Sequence, residues 1–237
     1  AKLLSAAALW SSVLYDFAVK AMRQGDVYPS TLMSLPYVDL PDHVLLRVLQ
    51  LNCVTEDYAS LWERNSELVS TISSPWKNLQ AELGLDRRRS EHWRPDCALR
   101  SPLSRRLAMI EVDVLIAQEL GLELDNLLNL LSAFPVLLQN EAETFFDRRG
   151  NIVWTTASGF QQTGYLEDGR RPDRRKWNEI IEQEPGDLVC KVIVDTVPDG
   201  PITFERRFVG PFFKCDRIED YKSAWAHFEK LDSRGAA

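Results

Sequence analysis

Glu111 and Asp113 stand two positions apart in an otherwise apolar stretch running from Leu107 to Ala117. Paired carboxylates can divide general-acid and general-base work. On a helix, however, positions i and i+2 point to different sides, so these two cannot share one substrate atom. The expectation is one partner for Arg105 or Arg106 and one solvated carboxylate. A metal-dependent nuclease would instead need Pro-Asp followed by an acidic-x-Lys triplet on a strand. Pro-Asp occurs at Pro41-Asp42, Pro95-Asp96, Pro172-Asp173 and Pro198-Asp199, but the nearby triplet, Asp220-Tyr221-Lys222, falls in a predicted helix. Cys53, Cys97, Cys190 and Cys215 are far apart, as are His43, His92 and His227. Zinc sites favour tight local pairs, so free thiols are predicted and no metal site. No Ser/His/Asp or Cys/His arrangement has local support.

Two basic sets remain as candidates for nucleic-acid contact. Lys20, Arg23 and Gln24 lie on the last turn of a predicted helix, just before Tyr28, Ser30 and Thr31. Arginine, amide and hydroxyl groups can meet phosphates or base edges there. The bland alternative is that Lys20 and Arg23 only favour the helix C-terminal dipole. The second set, Arg170, Arg171, Arg174, Arg175 and Lys176, is bordered by Tyr165 and Trp177, a mixture that suits a nucleic-acid strand. Its alternative is a solvated loop. The net charge of −7 argues against a simple nucleic-acid module, so any such role needs a segregated basic face.

Positioning these residues falls to a predominantly helical α+β fold, a helical body with a small antiparallel β-hairpin appendage. The spacing of Leu3, Leu4, Ala7, Trp10, Leu14, Phe17, Ala18 and Ala21 predicts one helix over 2–24 with a single buried stripe, capped by Gly25. Further helices are predicted over 42–52, from Thr55 onward, near 76–83 and over 103–120, the last with core residues Leu103, Leu107, Ile110, Val114 and Ala117. Two more follow, one capped by Asp125 and one over 137–146. Beyond the turn Asp147-Arg148-Arg149-Gly150 come strands at 152–156, 188–197 and 202–209, the last two a hairpin around Pro198-Asp199-Gly200-Pro201. Helices over 174–184 and 217–231 complete the pattern. No apolar run is long enough for a membrane span.

Three ordered blocks carry a family resemblance. The first is Leu3 to Phe17 with Arg23, Gly25 and Leu35-Pro36; the second is Leu107 to Ala117 with Leu120-Gly121-Leu122 and Phe134-Pro135-Val136-Leu137. The third runs from Gly210-Pro211-Phe212-Phe213-Lys214-Cys215-Asp216-Arg217 through Asp220-Tyr221 to Ala224-Trp225. Together the chain resembles the C-terminal region of bacterial N6-adenine DNA methyltransferases of the restriction–modification and phage-defence type. The resemblance implies a cytoplasmic fragment lacking the catalytic domain, in which residues 1–36 end the target-recognition segment. Residues 37–146 would form a helical domain and residues 147–237 a small α+β part. Its partners would be DNA and the upstream methyltransferase domain, which would bind S-adenosylmethionine; no cofactor is expected in this fragment. Amino-group methyl transfer needs a polar residue before a Pro-Pro-aromatic loop, and this sequence has no Pro-Pro pair and no Gly-x-Gly turn. No catalytic residue is therefore assigned. The competing reading is an interaction module that docks on the methyltransferase core, or on a partner subunit, without touching DNA.

Overall fold

The computed structural model describes residues 2–22, 28–71, 73–83, 90–160, 170, 172–183, 186–194, 200 and 202–235. It is α+β and mainly helical, as the patterning predicts. The first departure is at the N-terminus, where the expected single helix is two, α1 (Lys2–Ser11) and α2 (Val13–Ala21), bent by 66°. Ser12 makes the break. Its backbone is extended, its hydroxyl donates to the Leu9 carbonyl at 2.8 Å, and the same oxygen accepts from the Tyr15 amide. A serine that bonds neighbouring backbone groups offers the chain an alternative to continuing the helix. The break also redistributes the stripe: Leu4, Ala8, Leu9, Val13, Leu14 and Tyr15 are buried, whereas Leu3 is 71% and Trp10 55% exposed.

A short α3 (Pro29–Ser34) begins with proline in its first turn, where a missing N–H costs nothing. Next comes α4 (Asp42–Asn52), then 3-10 turns at Glu56–Tyr58 and Ser66–Thr71 around α5 (Ala59–Glu63), and α6 (Lys77–Glu82). The expected helix from Thr55 is thus broken into single turns, with Trp62, Leu68 and Val69 buried. The long α7 (Pro102–Glu119) starts at Ser101, whose hydroxyl accepts from the Ser104 amide at 3.2 Å, and packs against α4. All five of its predicted core residues are buried, but so are Val112, Leu115 and Ile116, so the helix is buried nearly all round. Gly121, at φ 70°, ends it in a conformation that suits glycine.

In α8 (Leu124–Leu131) the cap is a reciprocal pair, Glu123 with Asn126, and not Asp125. The next helix, α9 (Pro135–Ala142), begins and ends earlier than periodicity suggests, because Phe145–Phe146 form a strand, β1. This strand pairs antiparallel with β2 (Ile152–Trp154) and with β5 (Phe213–Lys214), giving the order β2-β1-β5. Between β1 and β2 the Asp147 carboxylate accepts from the amides of Arg149 at 3.0 Å and Asn151 at 2.7 Å, holding the predicted turn. The hairpin strands β3 (Leu188–Val194) and β4 (Ile202–Phe208) pair from Leu188↔Phe208 to Val194↔Ile202. Their connecting Pro198-Asp199 and Pro201 lie outside the described residues, as does the Gly25 cap. The amphipathic α10 (Arg174–Glu182) buries Trp177 and Ile180 in an aromatic cluster with Trp154, Phe160 and Phe208. The final α11 (Arg217–Gly235) packs on α7, placing Tyr221, Ala224 and Phe228 in the same core as α1, α2 and α4.

Candidate functional site

Because α7 is surrounded by core, its two carboxylates are buried too, and each is 1% exposed. Ionised groups enter such places only when paired or hydrogen-bonded. Glu111 meets Arg47 Nε at 2.6 Å and accepts from the Ser74 hydroxyl at 3.0 Å. Arg47 in turn bonds Gln50 at 2.7 Å. Burial pushes the Glu111 carboxyl above its ordinary range, and Arg47 opposes that push. The expectation of one pairing with Arg105 or Arg106 and one solvated acid is therefore corrected. Arg105 donates to the Leu51 and Leu99 carbonyls, and neither carboxylate is solvated. Their divergence to separate partners on opposite sides of α7 does follow from the i, i+2 spacing.

Asp113 is the centre of a larger network. One oxygen accepts from the Val13 amide at 2.8 Å and the other from the Tyr221 hydroxyl at 2.5 Å. Arg217 lies 3.7 Å away, donates to the Tyr221 oxygen and pairs with Glu141. Arg106 bridges Glu141 at 3.0 Å and Asp220 at 2.6 Å. The Ser12 break frees the first amides of α2, and Asp113 satisfies one of them while placing a carboxyl at the helix N-terminus. Burial raises its pKa to about 6, with Tyr221, the Val13 amide and Arg217 pulling the other way. Burial likewise pushes the neighbouring Cys215 thiol up to about 11, opposed by Arg106. A carboxyl this enclosed cannot reach a substrate, so the network is an architectural bracket joining α2, α7, α9 and α11.

The sequence-selected basic sets have mixed surroundings. Lys20 pairs with Asp16 at 2.7 Å and lies 4.4 Å over the Phe134 ring. Tyr28 and Ser30 are exposed, whereas Thr31 is buried, which removes its hydroxyl from the surface. Arg23, Gln24 and Arg171 lie outside the described residues, as do Arg87, Arg88 and Arg89. Arg170 is exposed; Arg174 pairs with Glu143 at 3.5 Å, Arg175 with Asp173 at 3.3 Å and Lys176 with Glu179 at 3.3 Å. Phe134 and Glu143 flank α9, so the two sets meet opposite ends of one helix, roughly 13 Å apart by its rise. Among the described residues, the exposed Arg148, Arg149 and Arg206 have no carboxylate within ion-pair distance.

Sequence reasoning missed Arg217, Tyr221, Glu141 and Asp220. A signal existed: an aspartate between Val112 and Val114 in a mostly apolar stretch must find partners, and Arg217 and Tyr221 are one turn apart on the final helix. Among the described residues no group of three metal-ligating side chains occurs. No single helix among them is long and apolar enough to cross a membrane; α1 and α2 meet that test only when joined across their bend. Neither a model of a known protein family, nor a curated protein, nor a solved structure matches this chain.

Proposed function

We propose that this chain is the C-terminal, non-catalytic region of a bacterial N6-adenine DNA methyltransferase of the restriction–modification or phage-defence type. It braces the end of the target-recognition segment and helps to clamp duplex DNA, while S-adenosylmethionine binds an upstream domain. The observation that supports this is convergence on Asp113. Val13 belongs to the first resembling block, Asp113 to the second, and Arg217 with Tyr221 to the third. The stretch beginning Phe134-Pro135 opens the helix that carries Glu141, the partner of Arg217. Blocks separated by about a hundred positions thus share one buried bracket. That is what a common architecture would preserve.

The rival reading, an interaction module that never touches DNA, has its own support. Arg47, Arg105, Arg106 and Arg217 are engaged inside the protein, which leaves fewer cations for phosphate. Calorimetry with S-adenosylmethionine and anisotropy with a labelled duplex test both readings. The expected result is no heat from the cofactor and weak duplex binding at low salt. A micromolar cofactor site contradicts the non-catalytic assignment, and absence of duplex binding shifts the role to the interaction module.

A further inference from the structure

Helix α1 is apolar on the side that faces away from the protein. Its inward residues, Leu4, Ser5, Ala8 and Leu9, are buried, the three apolar ones in the common core. On the opposite side, at the i, i+3, i+4, i+7 spacing of one helix face, stand Leu3, Ala6, Ala7 and Trp10. Leu3 is 71% and Trp10 55% exposed, Ala6 and Ala7 are partly so, and no charged side chain occurs from Leu3 to Tyr15. A helix side that meets water normally carries charged or polar residues, and one that is apolar all round belongs in an interior. The exposed apolar surface continues past Trp10. Two clefts, of about 490 Å³ and about 210 Å³, share Trp10, Tyr15, Leu32 and Leu35 in their walls. Met33, 86% exposed, and Tyr37, 50% exposed, border the smaller one. Leu3, Trp10, Met33 and Tyr37 together present roughly 500–600 Å² of apolar side chain, at the top of the range for the largest patch on a monomer.

Charge and the order of side-chain sizes constrain what covers this face. A lipid surface is a poor fit, because an interfacial helix carries Lys and Arg opposite its apolar side, whereas α1 has Lys2 alone and its opposite side is buried. A second copy of the chain fits better. With a net charge of −7, two copies repel over most of their surface, but Lys2 is the one charge on α1, so two such faces meet nearly neutral. Along α1 the outward order is large, small, small, large, with Leu3 and Trp10 about 10 Å apart by the helix rise. Turned about a two-fold axis between Ala6 and Ala7, an antiparallel α1 lays its Leu3 against Trp10 and its Trp10 against Leu3, while the alanines let the helices approach closely. We propose that this chain forms a two-fold dimer through the outer face of α1, with Leu3 of each copy packed on Trp10 of the other and Met33 and Tyr37 at the rim. With the partly exposed Ala6, Ala7 and Leu32 added, the face approaches the roughly 800 Å² per partner of a stable interface. The dimer does not depend on the methyltransferase reading.

The test is sedimentation velocity of the 237-residue chain from low to high micromolar concentration, with the variants Leu3→Glu, Trp10→Lys and the two combined. Both positions are exposed, and an acid in the first turn with a base in the last suits the helix dipole, so the variants fold as the parent does, which circular dichroism checks. The parent is expected to pass from monomer to dimer as concentration rises. Each single substitution weakens the dimer by about thirtyfold or more, the loss of a hot-spot side chain. In the combined variant the new acid faces the new base across the two-fold axis, so dimerisation returns at low salt and fades as salt rises. A parent that stays monomeric throughout overturns the proposal and leaves the face to a partner of another kind. Single variants that dimerise like the parent also overturn it, since the contact then lies elsewhere. A combined variant that dimerises no better than the single ones excludes the antiparallel register and overturns it too.

Discussion

At the scale of single residues, Asp113 is held between solvation it has lost and donors it has gained. Burial raises the folded-state pKa to about 6, against roughly 3.9 for an unfolded aspartate. Between those values the folded protein keeps a proton that the unfolded chain has released, so stability falls as pH rises through that window. Asp113→Asn removes the titration and retains an acceptor for the Val13 amide. Relative to this variant, the parent is expected to lose on the order of 2–3 kcal/mol between about pH 4 and about pH 7, by denaturant unfolding at both. A pH-independent difference would mean that Asp113 titrates alike in both states. The apolar setting of Asp113 was legible from Val112 and Val114. Its partners were not, because Tyr221 is 108 positions away and only the fold brings it near.

Among the elements, α7 and the break between α1 and α2 differ most in how far the chain announces them. The five predicted core positions of α7 are all buried, because a long helix repeats its pattern often enough to be unambiguous. Ile110 is fully buried there, so Ile110→Asp leaves a lone charge in the core and is expected to cost several kcal/mol, or about 3–5. Thermal melting checks this, and an unchanged transition would place α7 at the periphery. The break at Ser12 was invisible, since Ser5, Ser11 and Ser12 differ only in tertiary surroundings. Ser12→Ala removes the hydroxyl that caps α2 and bonds Leu9, at a cost of about 1 kcal/mol. Strand β1 was missed for a related reason: Phe145 and Phe146 are an isolated apolar pair between Thr144 and Asp147, too short to separate helix from strand.

Over the whole molecule, charge is unevenly distributed. Residues 1–146 carry thirteen basic and nineteen acidic side chains, whereas residues 147–237 carry fifteen and sixteen. The near-neutral C-terminal part also holds the exposed Arg148, Arg149 and Arg206, none within ion-pair distance of a carboxylate among the described residues. Binding to duplex is therefore expected to be weak, electrostatic and centred on arginines, with the junction at Arg23 closest to the recognition segment that the family resemblance implies. The decisive measurement is a salt titration of duplex binding by the parent, Arg23→Ala and Arg148→Ala. The account predicts that log K falls by about 0.9 per phosphate contact for each decade of salt, with Arg23→Ala weakening binding more than Arg148→Ala. No binding even at low salt, or affinity indifferent to salt and to both substitutions, would contradict it.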